Sequence, residues 1–569
     1  MMPSETRGGG FAYCLLMKTP SPYSVVCSLA RWLRLPGSRM QPLLALLLAA
    51  PLSAKERWIY IPTNFQVDES ADKVIALLER GAESGYTHAF VIDSKFAHLQ
   101  TVTAAYRPNV ERVKAAAERL HIELVPGLFP VGYSNDLLFN NPNLAEGLPV
   151  KDAPFIVKNS IATIAPDPAV SLPGGEMNDR SGWGFIDENL TPEEGAMRSP
   201  PTDQNARLNR KLTVAPFRQY HVSVRIRSEG FSGSTAEIKA IGKDGRQLQW
   251  TSLKAPADSD WKTYDVTFNS LDSTEIDLYF GIWSGHKGTL WWDDARIEEC
   301  GPSNLLLRPG APFVMKKADG TLLKEGSDYE KPDNSTTGNT PWPGAFLPWI
   351  TPPEIRVKNI PDGELLRISY SHTHIVYDEQ VSACVEEPET RELLKKNAAE
   401  VSALFGAKTY MMSHDEWRVL GWDKSCMDSG KTAGEIAAEN LRLCTGYIRE
   451  KVPAARLLVW NDMFDPFHNA TKDYYLVRDS YEGSWKGLEP GVEIMNWNFG
   501  KRAESLAFFE KLGHPQVIAG YYDDDLANVS AWLDAAKNTK GVKGFMYTTW
   551  RNDYSNLEKV AAILDKAGW

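Results

Sequence analysis

Asp415 and Glu416 are adjacent carboxylates that follow a short apolar run, Thr409 to Met412, and precede Trp417 and Arg418. Two carboxyls in one partly desolvated site cannot both ionise cheaply, so one keeps its proton near neutral pH and the other stays anionic. A proton donor beside a carboxylate is what cleavage of a glycosidic bond asks for. The plainer alternatives are a rim salt bridge between Glu416 and Arg418, or a helix N-cap made by Asp415.

Such a pair needs a frame that brings other polar ends beside it, and the sequence supplies one. Apolar runs at Trp58 to Ile61, His88 to Ile92 and Ile122 to Val125 alternate with helical patterns over Ala71 to Ser84 and about 109–120. After Gly127 the alternation stops, and it resumes with a helix at Thr390 to Leu404. Runs at Thr409 to Met412, Arg456 to Trp460, Val492 to Trp497, Gln516 to Tyr521 and Gly544 to Thr548 then alternate with helices near 432–450, 471–479, 501–512, 525–537 and 554–567. Three strands before the gap and five after it predict an α/β fold, a (β/α)8 TIM barrel interrupted after strand 3.

In such a barrel the C-terminal strand ends share one face. Those ends offer Asn64, Asp93, Asp415 and Glu416, Asn461 and Asp462, Trp497 and Asn498, Tyr521 to Asp524, and Trp550 to Asn552. Aromatic faces stack on a pyranose, and carboxylates and amides satisfy its hydroxyls. A phosphate site would call for glycine-rich loops and basic residues, and a metal site for clustered His or Cys. The substrate-lining set is therefore Asp93, His414, Asn461, Asp462, Trp497, Tyr521, Tyr522, Asp523 and Trp550, with no metal ligand and no cofactor.

The interruption reads differently. Between 180 and 300, half-buried alternation in Tyr220 to Arg227, Ala236 to Ile241, Trp261 to Phe268, Glu275 to Trp283 and Gly288 to Ile297 predicts an antiparallel β-sandwich. The strand Leu290-Trp291-Trp292-Asp293-Asp294-Ala295-Arg296-Ile297, the Trp261 and Tyr264 strand opening and the Tyr220 strand resemble jelly-roll carbohydrate-binding modules of families 4, 9 and 22. That resemblance implies a sugar ligand and leaves a structural calcium ion open. Trp283, Trp291 and Trp292 either stack on sugar or fill the core, and at least one of the paired tryptophans belongs to the core because strand neighbours face opposite ways. Residues 131–179 read as a connecting segment and 301–386 as a Pro-, Gly- and Asn-rich linker with β content. His372 and His374 either border the cleft or lie on an exposed strand.

With the barrel parts at 55–130 and 387–569, the C-terminal half of the chain resembles the catalytic barrel of family 20 glycoside hydrolases, the β-N-acetylhexosaminidases, and Pro126-Gly127 after strand 3 fits as well. The matching residues are Asp415-Glu416, Val459-Trp460-Asn461-Asp462-Met463, Asn496-Trp497, Tyr521-Tyr522-Asp523 and Thr549-Trp550. The resemblance implies Glu416 as general acid and Asp415 as the group orienting a substrate acetamide. It further implies that one of Tyr521 and Tyr522 holds the acetamide oxygen and that Trp497 and Trp550 wall the pocket. Ser413-His414 stands where that family has two glycines, and the first strand lacks its sugar-binding arginine. Two other readings stay open: hydrolysis with Asp462 or Asp523 as nucleophile or base, and a non-catalytic glycan-binding protein.

Residues 1–54 read as a secretory leader, with Arg31, Arg34 and Arg39 ahead of the apolar run Leu43 to Leu52 and a cut after Ala54; Met40 is an alternative start. That run is too short to span a membrane. Secreted or periplasmic localisation follows. Removing the leader takes the formal charge from −11 to −15, which disfavours nucleic acid as a partner. Hydrophobic residues at 43% suit large cores. Cys300, Cys384, Cys426 and Cys444 lack C-x-x-C spacing and are either disulfide-bonded or buried thiols.

Overall fold

The structure, a computed structural model, describes residues 55–569 apart from 335, 336, 338, 339, 343, 378 and 524. The leader and Asp524 lie outside the described residues. Eight parallel strands close into a barrel in the order Glu56–Pro62, His88–Ile92, Glu123–Leu128, Thr409–Met412, Arg456–Trp460, Glu493–Asn496, Gln516–Tyr522 and Val542–Thr548. Their near-continuous apolar character reflects burial on both faces. Trp58, Tyr60, Phe90, Val125, Met411, Leu458, Trp460, Met495, Val517 and Met546 fill the inside. The intervening Ile59, Val91, Met412, Val459, Ile494 and Phe545 pack outward in the larger core shared with the helices.

Helices Asp68–Glu83, Tyr106–Arg119, Pro388–Phe405, Ala433–Lys451, Arg502–Leu512, Leu526–Ala536 and Leu557–Lys566 occupy the expected connections. Ala71, Val74, Leu77 and Leu78 form the buried stripe of the first, and a Thr432–Glu435 capping box fixes the start of Ala433–Lys451. The helix expected near 471–479 does not form. Asp462–Phe464 and Ser484–Gly487 are 3-10 turns, and Leu476–Val477 pairs in parallel with Val419–Leu420, so the loops after strands four and five cross-brace each other.

Between strands three and four the chain builds three antiparallel sheets. Two five-stranded sheets, carrying Gln219–Ser232 and Lys287–Glu299 on one side and Ala236–Ile241 and Glu275–Ile282 on the other, share one core. Trp292 is wholly buried there, whereas Trp291 lies on the opposite face beneath Arg227, with the guanidinium 4.0 Å from its ring centre. Lys239 covers Trp283 at 3.5 Å. These rings are capped by cations or by core, which leaves none of the three as an open sugar platform.

The third sheet runs through both the connecting segment 131–179 and the linker with β content 301–386. Gly147–Lys158 pairs along its length with Leu365–Thr373, and Ile161–Ile164, Leu305–Leu306, Val314–Lys317 and Ile355–Arg356 complete the sheet. Its strands come from both sides of the sandwich, a non-local pairing that local composition does not display. It also relocates His372 and His374, which are buried rather than exposed or cleft-lining. His372 donates from Nδ1 to the Thr373 carbonyl at 3.1 Å and accepts at Nε2 from Asn269 at 3.0 Å. Burial pushes His372 down to about 4 and His374 to about 3, so both stay neutral.

Among the described residues, Cys300, Cys384, Cys426 and Cys444 are buried free thiols. Among the described residues no helix is long and apolar enough to cross a membrane. Because Trp292 fills the sandwich core, Trp292→Ala lowers stability by about 3–5 kcal/mol. Trp283→Ala, on a partly exposed ring, gives a much smaller shift in the urea midpoint.

Candidate active site at the barrel mouth

The site begins where strand four stops. Ser413 N–H and His414 N–H donate to the Leu128 and Phe129 carbonyls at 2.7 and 3.3 Å, carrying strand pairing past Met412. His414 and Glu416 then adopt left-handed backbone, with φ of +65° and +46°. Non-glycine residues hold such angles only where the surroundings impose them, and such outliers gather at functional sites. Here the Glu416 N–H donates to Asp462 Oδ2 at 2.8 Å, and the Glu416 carbonyl accepts from Gln380 Nε2 at 2.7 Å. Gly132, in the loop after strand three, lies against this turn, and a Cβ there would sit 2.2 Å from the Asp415 carbonyl oxygen.

That close approach delivers Tyr133 to the carboxylate. Tyr133 Oη donates to Glu416 Oε2 at 2.5 Å, and Arg418 Nη2 pairs with Glu416 Oε1 at 2.6 Å. Arg418 Nη1 also donates to Gln380 Oε1 at 2.6 Å, and its guanidinium lies 4.8 Å from the Tyr377 ring centre and 5.2 Å from that of Tyr475. The Glu416–Arg418 ion pair weighed from sequence therefore forms, with the Glu416 side chain 26% exposed.

Asp415 has the opposite environment. Burial, then the neighbouring Glu416 charge, push its carboxyl up to about 7. Asp462 is wholly buried and pushed up to about 8 by burial and then by Asp415. Its Oδ2 accepts from Glu416 N–H and from Asn469 Nδ2 at 3.0 Å, while Oδ1 has no hydrogen-bond partner. Burial thus raises both Asp415 and Asp462, and the carboxylate bound by donors on both oxygens is Glu416.

Around the pair stand Tyr522 and Trp550, exposed by 50% and 47%, with ring centres 6.3 Å apart. Trp550 also meets Tyr60 edge-on at 5.3 Å. Trp497 packs edge-on against His468 at 4.4 Å. Asp523 anchors this wall, accepting from Thr549 Oγ1 at 2.6 Å and from Trp550 N–H at 3.0 Å.

Several expected lining residues serve the frame instead. Asp93 is buried and spends its carboxylate on the Phe65 and Lys95 N–H groups at 2.8 and 2.9 Å. His414 turns inward between Phe129 and Phe464, with Nε2 3.0 Å from Asn440 Oδ1, and burial lowers it to about 4. Asn461 ties strands five and six together, donating to Asp465 at 2.8 Å and accepting from Trp497 N–H at 3.0 Å. Tyr521 stacks on Tyr547 at 4.2 Å in the helix-facing core. Simple alternation would aim it inward with Val517 and Ala519, but the register shifts between Ala519 and Tyr521 and sends Tyr522 to the mouth. Tyr133, Gln380, Tyr475 and His468 were missed because they arrive on loops; Arg418, two residues beyond Glu416, was the one visible signal.

Among the described residues, the grouping of His, Cys, Asp and Glu donors close enough to share a metal ion is Glu146, Cys384, Asp423 and Cys426, a set separate from the mouth.

No protein-family model matches the sequence, and no curated protein matches it. Among solved structures, a β-N-acetylhexosaminidase from Bacteroides fragilis aligns with 89% of this chain and 65% of its own at 9% identity and a TM-score of 0.36. A rhamnosidase from Novosphingobium sp. PP1Y aligns with 85% of this chain and 50% of its own at 12% identity and a TM-score of 0.24. A family 4 carbohydrate-binding module aligns with 26% of this chain and 96% of its own at 15% identity and a TM-score of 0.16. The chain thus spans half to two thirds of the length of the two enzymes, and the functional reading rests on the side chains of the mouth.

Two outcomes follow. Gly132→Ala displaces the Asp415–Glu416 turn and weakens any ligand binding at the mouth at least tenfold by titration calorimetry, while the far-ultraviolet circular dichroism keeps its shape. Asp462 binds its proton more tightly folded than its ordinary 3.8 allows unfolded, so its burial costs nothing at low pH and costs progressively more as pH rises from about 4 to about 8. Asp462→Asn accordingly raises the melting temperature at pH 8 by the equivalent of more than about 1 kcal/mol, and the gain shrinks toward zero near pH 4.

Proposed function

We propose that the protein is an exported glycoside hydrolase acting on a glycan at the barrel mouth, with Asp415 as proton donor and Glu416 as the charged partner. The observation that supports this most is the contrast within the pair. Asp415 is held near its titration point close to neutrality, while Tyr133 and Arg418 clasp the adjacent carboxylate. Tyr522 and Trp550 supply aromatic surface for a sugar ring beside it.

In this reading the Asp415 O–H gives its proton to the glycosidic oxygen as the bond from that oxygen to the anomeric carbon breaks. The Glu416 carboxylate stabilises the positive charge developing on the anomeric carbon. Water then adds to that carbon, and its surplus proton returns to Asp415, which restores the site. Asp462 and Asp523 do not serve as nucleophile here, since Asp462 is sealed beneath Glu416 and Asp523 holds strand eight. N-acetylhexosaminides are the first substrates to try, from the resemblance of the strand ends. The leader at 1–54 supports export and the mature charge supports a partner other than nucleic acid.

The Arg418 ion pair favours a second reading, a glycan-binding barrel in which Glu416 is a fixed polar contact. Assay of the full mature chain on a panel of chromogenic glycosides separates the two. Turnover should fall as pH rises through about 7, as Asp415 loses its proton. Asp415→Asn should cost about 10²–10⁴ in kcat on substrates with poor leaving groups and less on nitrophenyl substrates. Glycan binding with no turnover of any glycoside would sink the enzymatic reading and leave the binding one.

A further inference from the structure

A second constellation lies where the inserted sheets join the barrel. Glu146 precedes the strand Gly147–Lys158, Cys384 lies shortly before helix Pro388–Phe405, and Asp423 and Cys426 start and occupy the short helix Lys424–Asp428. All four side chains are buried, and their ligating atoms lie within 4.8 Å of one another. The Cys384 and Cys426 sulfurs are 3.6 Å apart, and Cys426 Sγ is 3.4 Å from Glu146 Oε2.

These separations have a simple meaning. Tetrahedral coordination with metal–sulfur bonds of about 2.3 Å and metal–oxygen bonds of about 2.0 Å sets sulfur–sulfur edges near 3.8 Å and sulfur–oxygen edges near 3.5 Å. A disulfide would bring the sulfurs to about 2.05 Å. The observed edges match a shared ion and not a covalent bridge.

The surroundings are built as an outer shell would be. Glu146 Oε1 accepts from the Trp422 and Asp423 N–H groups at 2.8 and 3.3 Å, which leaves Oε2 aimed at the sulfurs. Asp423 Oδ1 accepts from Cys426 N–H at 3.0 Å, and Oδ2 pairs with Arg308 at 2.6 Å. Arg308, itself buried, also faces Glu387 at 3.4 Å and offsets part of the negative charge that deprotonated ligands would bring.

We propose that Cys384, Cys426, Glu146 and Asp423 form a closed structural zinc site that rivets the two ends of the insertion to the loop after strand four. Two thiolates with two carboxylates in a buried tetrahedron suit a borderline-soft ion with no redox chemistry. On binding, Zn²⁺ takes a lone pair from each of the two sulfurs and from one oxygen of each carboxylate, and the two thiol protons leave to solvent. The spacing rule failed to show this site because its cysteines stand 42 residues apart and its other carboxylate, Glu146, comes from a distant part of the chain.

The test uses the full mature chain, expressed with zinc and dialysed into metal-free buffer. Elemental mass spectrometry should find one zinc per chain, and a zinc-binding dye should register its release on unfolding. All four cysteines should then titrate as thiols. Exchange of zinc for cobalt should produce thiolate-to-cobalt charge-transfer absorption, which Cys384→Ser abolishes and Cys444→Ser retains. Should Cys384→Ser fail to fold, the cobalt spectrum of the unmodified chain decides alone. Zinc below stoichiometry after reloading, with four titratable thiols, would overturn the proposal in favour of packed free thiols. An intact mass lighter by two hydrogens, with two titratable thiols, would overturn it in favour of a disulfide.

Discussion

The hydrogen bond from Glu416 N–H to Asp462 fixes the mouth of this barrel. It spans strands four and five and holds the backbone in a turn that non-glycine residues do not choose unaided. From that turn everything nearby takes its direction: Asp415 toward the barrel interior and its Tyr60, Glu416 toward Tyr133 and Arg418, His414 into the apolar layer behind. Asp462 has one oxygen given to this bond and one with no partner, a burial that evolution normally avoids unless the arrangement has a use.

The electrostatics of the mouth are those of crowding. Asp415, Glu416 and Asp462 share a small volume, and Arg418 lies against Glu416. Glu416 receives the cation and the phenol, so the remaining negative charge is minimised by keeping protons on the other two. Identity of residue type does not decide which carboxyl carries the proton; the neighbours do. The longer Glu416 side chain reaches the arginine, and Asp415 stays short of it.

The barrel was legible in the sequence because its strands are apolar on both faces and its helices carry a one-sided stripe, signals that are local and periodic. Asp415 and Glu416 were legible for the same reason, as an abrupt end to an apolar run. What local pattern hides is pairing at a distance. The sheet joining Gly147–Lys158 to Leu365–Thr373 looked like two connectors, and the short parallel pair at Val419–Leu420 and Leu476–Val477 looked in part like a helix. At the site, Asp93, Asn461 and Asp523 sit at strand ends as expected, yet their polar atoms are consumed by backbone N–H groups and neighbouring side chains, a use that position alone does not reveal. Tyr521 was misdirected by a bulge at Gly520, whose missing Cβ lets Phe545 pack within 2.5 Å of that point.

The pairing of Met411 with Gly127 closes the barrel between strands that are remote in sequence. Joining such distant segments of an unfolded chain is entropically slow, and closure grows costlier with the length of the intervening loop. The sheet formed by Gly147–Lys158 and Leu365–Thr373 changes that distance. Once those strands zip together, the sandwich between them no longer counts as loop, and the stretches left between strands three and four are those from Leu128 to Gly147 and from Thr373 to Thr409, the latter holding helix Pro388–Phe405. Pairing within the inserted sheet therefore lowers the entropic cost of closing the barrel that carries the mouth.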